Sequence, residues 1–203
     1  MVFNFDNFRK EGRSDFSRLG TLYIVALCTI ATIIIIGQFL IQNFLKDQFY
    51  DSRVINVAGR QRMLSQKISK LVLKLEKTND TEEREVLYKD LKETSFLWKT
   101  SQEGLLYGND TLHLPGNNSR KISEMFAYNA NFYVRIIGSC QALLSKLEHD
   151  INSDQNELQP FIKVILNNEE EFLRSIDAIV FQYDHEASQK VKKLSATEYI
   201  LLG

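Results

Sequence analysis

Proline and glycine are scarce. Two prolines and nine glycines in 203 residues leave few turns for a sheet and few breaks for a helix. With abundant Leu, Ile, Lys and Glu, that scarcity favours an all-helical chain. Cysteine is scarcer still: Cys28 sits in an apolar run and Cys140 stands alone outside it, so no structural disulfide follows. Neither sign of charge dominates. The net charge is −1, and residues 46–198 are similarly balanced, which excludes a general nucleic-acid binder. Di-iron bundles need Glu-x-x-His pairs, but the residues three before His113, His149 and His185 are Asp110, Lys146 and Gln182. No Cys-x-x-Cys-His haem attachment sequence is present, and no Ser, Cys or His arrangement suggests nucleophilic catalysis. This segment is read as non-enzymatic, with no cofactor and no metal.

What is present begins with an uncharged run. Residues 19–45 contain no charged side chain, longer than the roughly 20 residues needed to span a bilayer. A cleaved signal peptide is the competing reading, but the run is too long and lacks an Ala-x-Ala-like site near its end. The segment is taken as an uncleaved anchor behind a short tail, residues 1–18, carrying Arg9, Lys10, Arg13 and Arg18. The basic tail gives a weak positive-inside bias toward the cytoplasm.

The stretch that organises the chain is residues 54–75, VINVAGRQRMLSQKISKLVLKL. Val54, Val57, Gln61, Leu64, Ile68, Leu71 and Leu75 recur at steps of three and four, the seam of a packed helix with Gln61 as its one polar member. Beside it run Ile55, Ala58, Gly59, Arg62, Ser65, Ser69 and Val72, small residues around one arginine. Small side chains admit close approach of another helix, and the guanidinium offers a planar fork suited to an oxyanion. Gly59 in mid-helix costs about 1 kcal/mol against alanine and suggests close backbone approach. On residue chemistry alone, Arg62 has a simpler use, an ion pair with a carboxylate of another helix in the same bundle.

The run Asn56 to Ile68, NVAGRQRMLSQKI, resembles the signature of the PilJ-type sensor domain, found in type IV pilus methyl-accepting transducers and other bacterial receptors. A looser version occurs in nitrate/nitrite sensor kinases of the NarX type. The resemblance implies a periplasmic sensor domain of a membrane-embedded receptor, the large domain lying outside the inner membrane. It also implies a homodimer in which Arg62 from both copies holds one nitrate or nitrite, assisted by the backbone around Gly59 and Ala58. Arg60 is carried as a fourth ligand-binding candidate. It has no basic counterpart in the looser motif and, two residues from Arg62, points elsewhere.

Further along, Thr78-Asn79-Asp80-Thr81 breaks the first helix, and Asp80 opens a second with Glu83 as capping-box partner. Leu87, Leu91, Trp98 and Leu105 form its buried side. Residues 108–119, GNDTLHLPGNNS, read as the next hairpin loop. A third helix is expected from Ser119 to His149. Residues 152–159 connect it to a fourth, with Pro160 in the first turn. The whole is an antiparallel up-down-up-down four-helix bundle over residues 46–195, its first helix continuous with the transmembrane helix. Residues 196–203 read as the start of a second, truncated transmembrane helix, or as an ordinary hydrophobic tail. The alternative to an anion sensor is a dimeric helical interaction module that senses a partner protein or pilus component, with Arg62 structural. The sequence does not name the output module.

Overall fold

The structure, a computed structural model, describes the backbone of residues 5–202 and the side chains of residues 18–193 and of Ala196. Its elements are four helices: α1 (Phe5–Lys77), α2 (Thr81–Tyr107), α3 (Arg120–His149) and α4 (Gln155–Leu202). The chain divides into two compact units, Met1–Asp47 and Gln48–Gly203. In the first unit the large apolar side chains from Leu19 to Leu45 are exposed, except for half-buried Phe44. The hydroxyls of Thr29 and Thr32 donate to the carbonyls of Val25 and Cys28 at 2.9 and 2.7 Å, which satisfies them within the helix, as hydrocarbon surroundings require. It is the one helix among the described residues long and apolar enough to cross a membrane. The expected second apolar segment, 196–203, and the tail up to residue 17 lie outside the described side chains, Ala196 excepted.

The second unit is the bundle. Its register is written in cross-helix contacts. Lys92 meets Glu148 and Gln102 meets Asn129, so α2 and α3 are antiparallel. Lys146 meets Glu157 and Ser119 meets Glu186, so α3 and α4 are antiparallel. Glu76 accepts from Gln159 while Asp51 pairs with Lys190, so α1 and α4 are antiparallel as well. All seven seam positions of α1, Val54 to Leu75, are buried. At the centre Trp98 stacks on Tyr133 and Phe172, with ring centroids 4.8 and 4.9 Å apart.

Side-chain caps set most of the helix starts. Asp80 accepts from the Glu83 amide at 3.3 Å and Ser119 from the Ile122 amide at 3.2 Å, each satisfying a first-turn donor. The expected capping box is only half formed. The Glu83 carboxylate accepts from Thr78 Oγ1 instead, and the Asp80 amide also donates to that hydroxyl. The fourth helix begins a turn earlier than Pro160 suggested. Asp154 accepts from the Asn156 amide at 3.2 Å, so the helix opens at Gln155 and Pro160 lies inside it. The carbonyl that its missing N–H leaves free belongs to exposed Asn156, where water can serve it. Arg84, 3 % exposed, ties the two turns at this end together. It donates to Thr78 O at 3.2 Å and to Ile151 O and Ser153 O at 3.0 Å.

At the opposite end the 108–119 loop is a strap across α1 and α4. Asn109 and Leu114 exchange backbone hydrogen bonds at 2.9 Å, and Asn118 Nδ2 donates to Leu105 O at 2.8 Å. Arg53 of α1 donates to Leu112 O at 2.9 Å. On the α4 side, Tyr183 donates to Asn118 and Ser119 to Glu186. Burial, then the Glu186 charge, push the Tyr183 hydroxyl above its ordinary range. Beyond Glu186, where the ends of α2 and α3 lie near α4, Val191 is exposed.

Two outcomes follow. Gly116 has φ +67°, and a Cβ there would sit 2.2 Å from the Gly108 nitrogen. Gly116→Ala therefore lowers unfolding free energy by about 2 kcal/mol or more in urea titrations. Burial pushes the Cys140 thiol up to about 12, so it carries almost no thiolate near neutral pH. In a Cys28→Ser background, thiol reagents at pH 8 label Cys140 only after denaturation, and labelling of the native protein as fast as of the unfolded one contradicts this packing.

Candidate functional site

The four residues singled out in α1 do not share one environment. Ala58 has no exposure, Gly59 is half-buried, Arg60 is exposed, and the Arg62 side chain is 50 % exposed. Ser65, Ser69 and Val72 are buried as well. Most of the small-residue stripe therefore packs inside its own bundle and is not a free face. The reason is geometric: the stripe lies beside the apolar seam, and three surrounding helices cover an arc wider than one seam.

What α1 turns outward is the adjacent row Asn56, Gly59, Met63, Gln66, Lys70 and Leu73, again at steps of three and four. Met63 is 56 % and Leu73 40 % exposed. A Cβ on Gly59 would meet nothing within 4 Å. The close approach that a mid-helix glycine suggests has no counterpart within this chain. Arg62 stands at the edge of that row, one turn beyond Gly59, while Arg60 projects from a different side of the helix.

Arg62 has a partner. Its Nε lies 2.7 Å from Asp177 Oδ1 of α4, so the intrabundle ion pair that residue chemistry suggested is formed. The contact is an ion pair by distance without the alignment of a hydrogen bond, for Asp177 Oδ1 is sealed from solvent and has no aligned donor. Ser65 Oγ donates to Arg62 O at 2.9 Å, which closes the helix beneath it. Asp177 escaped the sequence reading. It follows the buried stripe residue Ile176, but spacing alone does not separate it from Glu169, Glu170, Glu171 or Asp184 as the acid facing α1.

Beneath the pair runs a buried polar layer. Gln102 Nε2 donates to Asn129 Oδ1 at 3.3 Å, and Asn129 Nδ2 donates to Ser175 Oγ at 2.7 Å. Ser175 Oγ in turn donates to Phe172 O at 2.9 Å. Gln61 joins this level from α1 with no exposure, and neither of its amide atoms has a protein partner. An open groove of about 530 Å³ between α3 and α4, lined by Met125, Tyr128, Glu171 and Arg174 among others, includes none of the four predicted residues. Among the described residues no His, Cys, Asp and Glu side chains cluster as a metal site.

The described residues form an antiparallel helical bundle and an apolar N-terminal helix, with a cationic side chain on the outer face of α1. The family model described as the type IV pili methyl-accepting chemotaxis transducer N-terminal domain, PilJ, matches residues 44–159, more than half of the chain. The chain belongs to that family. The match contains Gly59 and Arg62 and stops short of Asp177. No curated protein and no solved structure matches the chain.

Burial separates the neighbours Ala58 and Gly59. Ala58→Leu overpacks the core and lowers unfolding free energy by about 1–3 kcal/mol. Gly59→Ala meets open space and raises it by about 1 kcal/mol. Chemical denaturation of both variants checks the assignment, and equal signs contradict it.

Proposed function

We propose that this chain is the extracytoplasmic input domain of an inner-membrane receptor, and that two copies hold one small planar anion, nitrate or nitrite, between their Arg62 side chains. The observation that carries the reading is the outward, half-exposed Arg62 side chain beside a glycine whose added Cβ would meet nothing within 4 Å. The resemblance of the Asn56–Ile68 run to nitrate and nitrite sensors supplies the anion's identity. One protomer offers half a site, an arginine side chain on an exposed helix face, which suits a site completed by a two-fold axis.

The energetics are consistent with a ligand-gated contact. Two guanidinium groups about 4 Å apart repel by about 4 kcal/mol at an effective dielectric near 20. An anion between them replaces repulsion with two attractions, so ligand strengthens the dimer. The interface runs along Asn56, Gly59, Met63, Gln66, Lys70 and Leu73, since Ala58 and Ser65 are occupied inside the bundle. The domain lies in the periplasm, and displacement of α4 relative to α1 carries the signal.

A second reading is favoured by the Arg62–Asp177 ion pair itself. In it the arginine is structural, and the bundle is a dimeric interaction module that senses a protein or pilus component.

Titration calorimetry of the full chain in detergent with nitrate, nitrite and other anions separates the two readings. Wild type binds nitrate or nitrite with heat that Arg62→Ala abolishes without loss of helicity. Arg62→Lys does not rescue it, because a point charge lacks the planar fork. Wild-type affinity in the alanine variant, or no anion binding in the wild type, rejects the anion site.

A further inference from the structure

The guanidinium of Arg62 is held at one point only. Its Nε faces Asp177 Oδ1 at 2.7 Å, out of line for a hydrogen bond, and no other hydrogen bond to the group is present among the described residues. The Nη edge, the one suited to two parallel bonds with a planar oxyanion, is unengaged. From this arrangement we infer that Asp177 is an internal competitor for Arg62, which an arriving anion displaces, so that occupancy of a site on α1 is read out on α4. The inference rests on the anion reading of Arg62 and adds to it a residue outside the stretch that defines the family.

Three features support displacement over a shared site. A carboxylate and a second anion on one guanidinium repel each other, and the Arg62 side chain is half exposed. On its own helix Asp177 has no ready substitute: the basic residue nearest in sequence, Arg174, is engaged by Glu170 and Glu171 at 2.6 and 2.9 Å. Losing Arg62 therefore leaves Asp177 Oδ1, already sealed and without an aligned donor, with no partner at all. The Asp177 side chain is 38 % exposed, so a carboxylate released there turns toward water, and the α1–α4 contact it made is lost. The layer below gives α4 a fixed point for such a movement, because Ser175, two residues away, is bonded to Asn129 at 2.7 Å.

The test is Asp177→Asn in the full chain, with Asp184→Asn as control. Asp184 lies two turns along the same face of α4 and is exposed, so its substitution removes the same charge without touching the pair. Calorimetry with nitrate should show affinity rising about two- to fivefold in Asp177→Asn, the modest gain expected when a half-exposed ion pair is removed. Asp184→Asn should leave affinity unchanged. The second readout is an α1–α4 distance from spin labels at Lys67→Cys and Asn167→Cys, both exposed and outside the proposed interface row, in a Cys28→Ser background diluted with unlabelled chain. Nitrate should shift the wild-type distance, and Asp177→Asn should show the shifted distance without nitrate. Unchanged or weaker affinity in Asp177→Asn, or a distance equal to that of unliganded wild type, overturns the competitor while leaving the anion site standing. Absence of nitrate and nitrite binding in the wild type overturns both.

Discussion

A buried amide must be paired, and Asn129, with no exposure, fixes the bundle through that requirement. It accepts from Gln102 of α2 and donates to Ser175 of α4. A slip of either helix by one residue would strand these groups at about 1–3 kcal/mol each. Three helices are thereby held level, and α4 is rotated so that Asp177, just past Ser175, faces α1. The fourth helix is treated differently. Gln61 enters the same level from α1 with an amide that no protein group meets. The polar ties of α1 lie toward its ends in the bundle: Gln155 donates to Leu75 O and Thr78 O, Gln159 to Glu76, Arg53 to Leu112 O, and Lys190 to Asp51. Between them α1 is held by apolar packing and by one unaligned ion pair. Packing is less selective of register than hydrogen bonding, so the middle of α1 is the part of the bundle freest to shift.

The sequence carried the helices because their signals are local. Steps of three and four marked the α1 seam, and every seam position is buried. Asp80 and Ser119 announced their helices, since an N-cap acts on an amide three residues away. Pro160 misled because proline favours the first turn without requiring it, and Asp154 supplied a cap one turn earlier. Glu83 misled because Thr78, a residue before the expected box, competed for its carboxylate. Each of these is a contest between two local devices, and composition does not announce the winner.

The candidate site was legible only in part, for a different reason. Arg62 and Gly59 stood out by residue type. Which face of α1 was covered depends on where three other helices lie, and that is non-local. The small-residue stripe looked like a surface for a partner chain; the partner of Ala58, Ser65 and Val72 turned out to be the rest of the same chain. Asp177 was invisible for the same reason, being one acid among several on α4 until the register set by Asn129 selects it.

Gly59 and Gln61 are both loosely held where they stand, and the looseness has one physical sense. A glycine in a covered stripe would be explained by close packing; a glycine with open space above it gains nothing within this chain and forfeits about 1 kcal/mol of helix stability. The glutamine two residues on is buried with an amide that no protein group meets, so no hydrogen bond within the chain ties it to the core. Between and beside them sits Arg62, the one arginine of α1 among the described residues with an ion pair to α4. A helix optimised for stability alone would carry alanine and leucine at these two positions. Keeping the turn around Arg62 poorly tied on both its inner and outer sides leaves the arrangement of α1 against α4 responsive to whatever binds the guanidinium. A ligand moves an equilibrium only by its difference in affinity for the two arrangements. A weakly held turn keeps the gap between those arrangements small, which is what the proposed anion site requires.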